Sequence, residues 1–249
     1  MLNTNQIFYN FTSILGVCFV MELCHKIKGH TVQKRTLISL VIATFGLLAF
    51  RGRLMGFSPP KFAKADNPAS ASESLLCRGL TLAFLPTFNF WLMICPTQLS
   101  FDWSMDAIPL ITSWSDPRNL GSVAFYTGLA MAMMKARRKK YMIVAFTVMG
   151  MSFLPATNLL FYVGFVVAER VLYIPSIGLC LLLATVLSKS YQQRPAAFTR
   201  KMVFIFSTIV ILACYSFKTW NRNLDWKDEE TLYRSGIPVN PAKGKMASC

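Results

Sequence analysis

The sequence predicts an all-α, polytopic membrane protein of about six crossings, with one further element lying at the membrane surface without crossing. Three observations carry that expectation. Apolar residues make up 54% of the 249 positions and fall in blocks rather than being spread evenly, with a mean hydropathy of +0.43. Basic residues gather in short connectors between those blocks. The stretch 88–120 mixes Trp, Phe and Ile with Asp102, Asp106, Asp116 and three internal prolines, a load suited to a membrane surface and unsuited to a span.

The blocks run in order. The first covers 7–23 and the second 37–50, joined by a connector holding Lys26, Lys28, Lys34 and Arg35 and no acid. These two form the first region, 1–50. A Pro-, Ser- and Ala-rich loop follows, and Asp66-Asn67-Pro68 within it reads as a turn. The third block, 75–95, carries Arg78, Pro86 and Asn89. Polar groups at mid-span are costly, and a proline strips one backbone hydrogen bond, so this block reads as re-entrant or interfacial. With its flanks it makes a second region, 51–119. The fourth block, 120–134, is closed by KARRKK. The fifth starts at Tyr141 and is broken by Pro155; the sixth is 177–187 and the seventh 202–217. They form a third region, 120–218: four spans with a loop at 155–175. The tail, 219–249, is polar, with one helix expected over 225–235 and a turn at Asn240-Pro241.

The charges sort by side. The connectors 24–36, 135–140 and 188–201 hold thirteen Lys/Arg and no Asp/Glu. The positive-inside rule assigns them to the cytoplasm. Region 51–119 and the tail then share the opposite side, provided the third block does not cross. The net charge of +15 is explained by this topology, and nucleic acid is not expected as a partner. The seven cysteines show no CxxC spacing and read as small buried apolar residues, so no metal site and no cofactor are expected. The N-terminus lacks a signal-peptide layout.

Several long stretches resemble one family. FSPPKFAKADNPAS, LPTFNFWLMICPTQLSFDWSMDAIPLI, AERVLYIPSIG and the tail NRNLDWKDEETLYRSGIPVNPAKGKMAS are similar to the transmembrane and tetratricopeptide-repeat-containing (TMTC) proteins, a likeness running from about Leu15 to the end. The resemblance implies a GT-C-type protein O-mannosyltransferase of the endoplasmic reticulum membrane. It implies transfer of mannose from dolichyl phosphate mannose to Ser/Thr of cadherin-type proteins, and a tail opening a lumenal array of TPR repeats. Family enzymes carry an acidic motif in the first lumenal loop, and nothing before Glu22 is acidic here. The chain therefore resembles a member truncated at both ends.

On that resemblance the candidate residues acquire roles. Arg170, beside Glu169 and Tyr173, could hold a lipid phosphate through its planar fork, or could merely neutralise Glu169. Asp102 and Asp106 would share a face if their segment were helical, and one could act as general base; plain loop aspartates are the alternative. Asp66 and Asn67 could line an acceptor groove. Trp91, Trp103 and Trp114 read as an interfacial belt, with Trp103 also a sugar-stacking candidate. The basic connectors could touch anionic lipid. Competing with the transferase reading are a non-catalytic membrane scaffold presenting repeats to lumenal partners and, less well supported by the charges, a transporter.

Overall fold

The computed structural model describes residues 15–19, 22, 34–54, 56, 66–103, 107–136, 139–158, 164–192 and 198–239. Eight helices are labelled here: α1 (Lys34–Leu54), α2 (Pro68–Ala71), α3 (Leu75–Ile94), α4 (Arg118–Ala136), α5 (Lys140–Phe153), α6 (Tyr173–Gln192), α7 (Phe198–Asp225) and α8 (Glu229–Gly236). Short 3-10 turns sit at Leu154–Ala156 and Glu169–Leu172. No strand forms among the described residues; an isolated antiparallel bridge joins Trp103 to Val167.

The apolar blocks become helices, mostly longer than the blocks themselves. Flanking residues complete them: block 37–50 becomes the 21-residue α1 and block 120–134 the 19-residue α4. The first block lies largely outside the described residues. Three helical segments are long and apolar enough to cross a membrane: Leu75–Ile94, Glu169–Gln192 and Lys201–Asp225. The third block, read from sequence as re-entrant or interfacial, is among them by length and composition. It is one unbroken 20-residue helix, with Ser74 accepting from the Cys77 amide as N-cap and Pro86 held inside. Buried Asn89 is tolerated because its Nδ2 donates back to the Leu85 carbonyl at 2.8 Å.

α5 and α6 make the closest helix pair. At Gly178 a Cβ would come within 2.6 Å of the Ala145 carbonyl oxygen and 2.7 Å of the Met149 nitrogen. Glycine is required there so that the two backbones can touch. The other core lies beside α3. Leu85 and Leu92 meet Trp103, Ile108, Val166, Val167 and Leu172. Region 88–120 thus divides between a helix and a loop folded back along it. Thr81 Oγ1 accepts from the Ile111 amide at 2.9 Å, Phe88 meets Trp103 edge-on at 5.3 Å, and Tyr126 of α4 donates to the Ala83 carbonyl. Arg118 ties the loop's end. It chelates Asp116, donates to the Pro109 and Leu110 carbonyls and lies over the Phe84 ring.

The tail departs from the single helix expected over 225–235. α7 runs on through Asp225, and α8 opens with a capping box in which Asp228 accepts from the Thr231 amide and Thr231 Oγ1 from the Asp228 amide. The turn read at Asn240-Pro241 lies outside the described residues. α8 docks on the loop before Trp103: Tyr233 meets Phe101 edge-on at 4.8 Å, and a Cβ on buried Gly236 would press on Phe101 and Ser100 at 3.3 Å.

The cysteine reading holds for Cys77, which is buried; Cys18, Cys180 and Cys214 lie exposed on helix surfaces.

Candidate functional site

Four segments converge beside the α3 core: 66–71, 100–103, 164–173 and 222–236. Each is placed by a specific contact. Asn67 fastens the first. Its Oδ1 caps α2 by accepting from the Ser70 amide at 3.1 Å, and its Nδ2 donates to Asn158 Oδ1 at 2.8 Å and to the Phe165 carbonyl at 3.0 Å. Both amide hydrogens and the oxygen are used, and the residue is 0% exposed. That corrects the sequence assignment of Asn67 to an acceptor groove. It is a knot between segments, with nothing left to offer a ligand. Its partner Asn158 adopts φ +58°, a left-handed backbone that asparagine tolerates better than most residues.

The second segment is extended at 102–103. The Trp103 amide donates to the Val167 carbonyl at 2.7 Å, and the Val166 and Val167 amides return to the Trp103 carbonyl. The helical face expected to join Asp102 and Asp106 is therefore absent at Asp102; Asp106 lies outside the described residues. Trp103 also leaves both roles read from sequence, because at 6% exposure it is core, whereas Trp91 and Trp114 are exposed as a belt requires.

Asp102 is half-buried, and its enclosed Oδ1 has no hydrogen-bond partner among the described residues. Burial pushes its carboxyl up to about 6; Arg170 pulls it down and Asp66 pushes it further up. Asp66, Asp102 and Arg170, residues 36 to 104 positions apart in sequence, thus share one electrostatic neighbourhood.

The third segment carries the cation. Glu169–Leu172 is a 3-10 turn leading into α6. Glu169 does not pair with Arg170, which removes the local-neutralisation reading of that pair. Its carboxylate takes Arg222 Nη2 at 2.5 Å, Arg222 Nε at 3.1 and 3.2 Å, and Trp226 Nε1 at 3.0 Å. Arg170 is exposed, with its guanidinium over the Phe165 ring at 5.9 Å, and no carboxylate lies within ion-pair distance of it among the described residues. Tyr173, 76% exposed, stands at the start of α6 on the same turn.

Sequence reasoning missed Arg222. It lies 53 residues from Glu169, and the adjacent Arg170 offered a simpler partner. The available signal was a cation followed by Asp225 and Trp226 at the end of an apolar run.

The arrangement can hold an anionic group against Arg170 and can accept a proton at Asp102. Among the described residues no group of three or more His, Cys, Asp or Glu is placed to hold a metal ion.

The family model described as "Protein O-mannosyl-transferase TMTC, DUF1736" matches residues 56–130. Mouse "Protein O-mannosyl-transferase TMTC2" is 38% identical over 86% of this chain and 34% of its own length. Human TMTC3 is 38% identical over 85% of this chain and 24% of its own, and human TMTC4 38% identical over 81% and 27%. No solved structure matches. The chain spans about a third or less of the curated relatives it matches, and within that stretch it belongs to the TMTC family.

Proposed function

We propose that this chain forms the donor-side part of a protein O-mannosyltransferase of the endoplasmic reticulum membrane. The donor is dolichyl phosphate mannose and the acceptors are Ser/Thr hydroxyls of cadherin-type proteins. The relatives' names supply the reaction class, and the observation that carries the reading to this chain is the free, exposed Arg170. An exposed guanidinium at the foot of a candidate span, its acidic neighbour already taken by Arg222, suits the phosphate of a membrane-anchored donor. Asp102, its carboxyl pushed up to about 6 by burial, is the group we assign to take the hydroxyl proton.

The topology follows. Six crossings, with α3 at the lumenal surface, put 51–119 and the TPR-type tail in the lumen. Contacts at both ends of α3 support its lying along the surface. Its N-terminal end leads from the Asn67 knot, and its C-terminal end accepts from Tyr215 and Lys218, which lie within two turns of Arg222. A 20-residue helix is ~30 Å long and would separate its ends across a bilayer if it stood upright.

Binding of dolichyl phosphate mannose to the chain in lipid nanodiscs tests the donor site. Arg170→Gln is expected to weaken binding roughly 10- to 100-fold and Arg170→Lys by less, since lysine keeps the charge and loses the fork. Protein level is measured alongside, because Arg170 also acts on the Asp102 carboxylate, and binding is read per folded protein. Undiminished binding by Arg170→Gln sinks the reading.

The scaffold reading draws on the docking of α8 against Phe101 and Ser100, which presents the tail on a fixed base. It expects binding of acceptor domains without any effect of Arg170.

A further inference from the structure

Arg222 spends its guanidinium on three segments at once. Nε and Nη2 hold Glu169, while Nη1 holds Asp225 at 2.9 Å and Ser235 Oγ at 2.9 Å. Its side chain is 13% exposed and that of Glu169 10%. Ser235 in turn donates to the Leu232 carbonyl, so the contact reaches the backbone of α8. Trp226 adds a second tail donor to Glu169. A planar fork suits this geometry, because Nε and Nη2 face one carboxylate side by side while Nη1 is directed elsewhere; an ammonium has no equivalent. The turn gripped this way is the one that displays Arg170.

We propose that Arg222 is a positioning residue for the donor site, coupling the docked tail helix α8 to the turn that presents Arg170. The proposal rests on the donor reading given above. Arg170 needs its backbone fixed at the membrane edge, and the 3-10 turn that carries it is only four residues long. Glu169 is the turn's first residue, and its carboxylate accepts from Arg222 and Trp226, both near the end of α7. α8 also rests on Phe101, next to Asp102, so the tail touches the supports of both the cation and the carboxylate. Displacing the tail helix therefore loosens both.

Dolichyl phosphate binding to the chain in nanodiscs, with membrane protein abundance measured alongside, tests the coupling. Arg222→Lys is expected to weaken binding roughly tenfold, as the loss of one or two charge-assisted hydrogen bonds would. The decisive variant is the pair Asp225→Asn with Ser235→Ala. It removes the Ser235 hydroxyl that ties Arg222 to α8 and the charge of Asp225 beside it, and leaves Glu169, Arg170 and Arg222 in place, so abundance should hold even where Arg222→Lys does not fold. Binding is expected to weaken about threefold. Wild-type binding by that pair, with Arg170→Gln binding weakly, overturns the coupling while sparing the donor site. If Arg170→Gln binds like wild type, the donor reading fails and the positioning role fails with it.

Discussion

α3 and α7 are both long apolar helices, and the structure gives them opposite surroundings. α3 buries Leu80, Leu85 and Leu92 against a loop of its own chain, together with Thr81 and Asn89. The apolar window of α7 has none of its residues buried, and Phe206, Ile209, Ile211 and Leu212 are each more than half exposed. The polar residues tell the two apart better than the apolar ones do. α3 carries Arg78, Pro86 and a buried Asn89 whose amide bonds the Leu85 carbonyl of its own helix, whereas the middle of α7, 202–217, carries no charge. Apolar side chains demand only the absence of water, and either a protein core or lipid meets that demand.

Three experiments sharpen this contrast. The largest expected effect is at the knot beneath α3. Asn67→Ala removes a helix cap and strands the Phe165 carbonyl, at a cost of about 3–5 kcal/mol. Leu85→Ala should cost a similar amount, about 2–5 kcal/mol. Thermal denaturation in detergent should show both as large losses of Tm.

Next comes Asp102→Asn, an isostere with no charge to bury. The folded carboxyl, near 6, sits above its unfolded value near 3.8, so the folded state binds more protons between those values. Stability of the native chain should therefore fall as pH rises from about 4 to 6 and level off above. Asp102→Asn should be the more stable form at pH 7, by up to about 3 kcal/mol, with little difference at pH 4. A native chain whose Tm is flat between pH 4 and 7 would contradict the burial of that carboxylate.

The smallest effect belongs to α7. Phe206→Leu and Ile211→Val should change stability by less than about 0.5 kcal/mol, since no packed neighbour is lost. A loss comparable to Leu85→Ala would mean that α7 packs against protein along its length.

Much of the helical frame was legible in the sequence, because period and block length report burial from water. Lys34, Arg35 and Lys135 marked helix ends correctly. The continuity of α3 through Pro86 was not legible, since it depends on a loop 20 to 30 residues away folding back along it. Of the candidate site, Asp102 and Arg170 were found as residue types. Their proximity was invisible, as was Arg222, because tertiary contacts separated by 53 or more residues leave no local pattern. Asn67 and Trp103 were misassigned for one reason: a polar or aromatic residue in a loop looks available until its hydrogen bonds and neighbours are known.

The join between α7 and α8 has a mechanical consequence. Only residues 226–228 separate them, and Arg222, Thr231 and Asp228 brace that gap from both sides. α7 is ~42 Å long at 1.5 Å per residue. A bilayer thinner than its apolar length would tilt such a helix. With no slack at the join, the tilt would pass straight into the bearing on which the chain leaves beyond Val239. Membrane thickness would then become a compass setting for the tail.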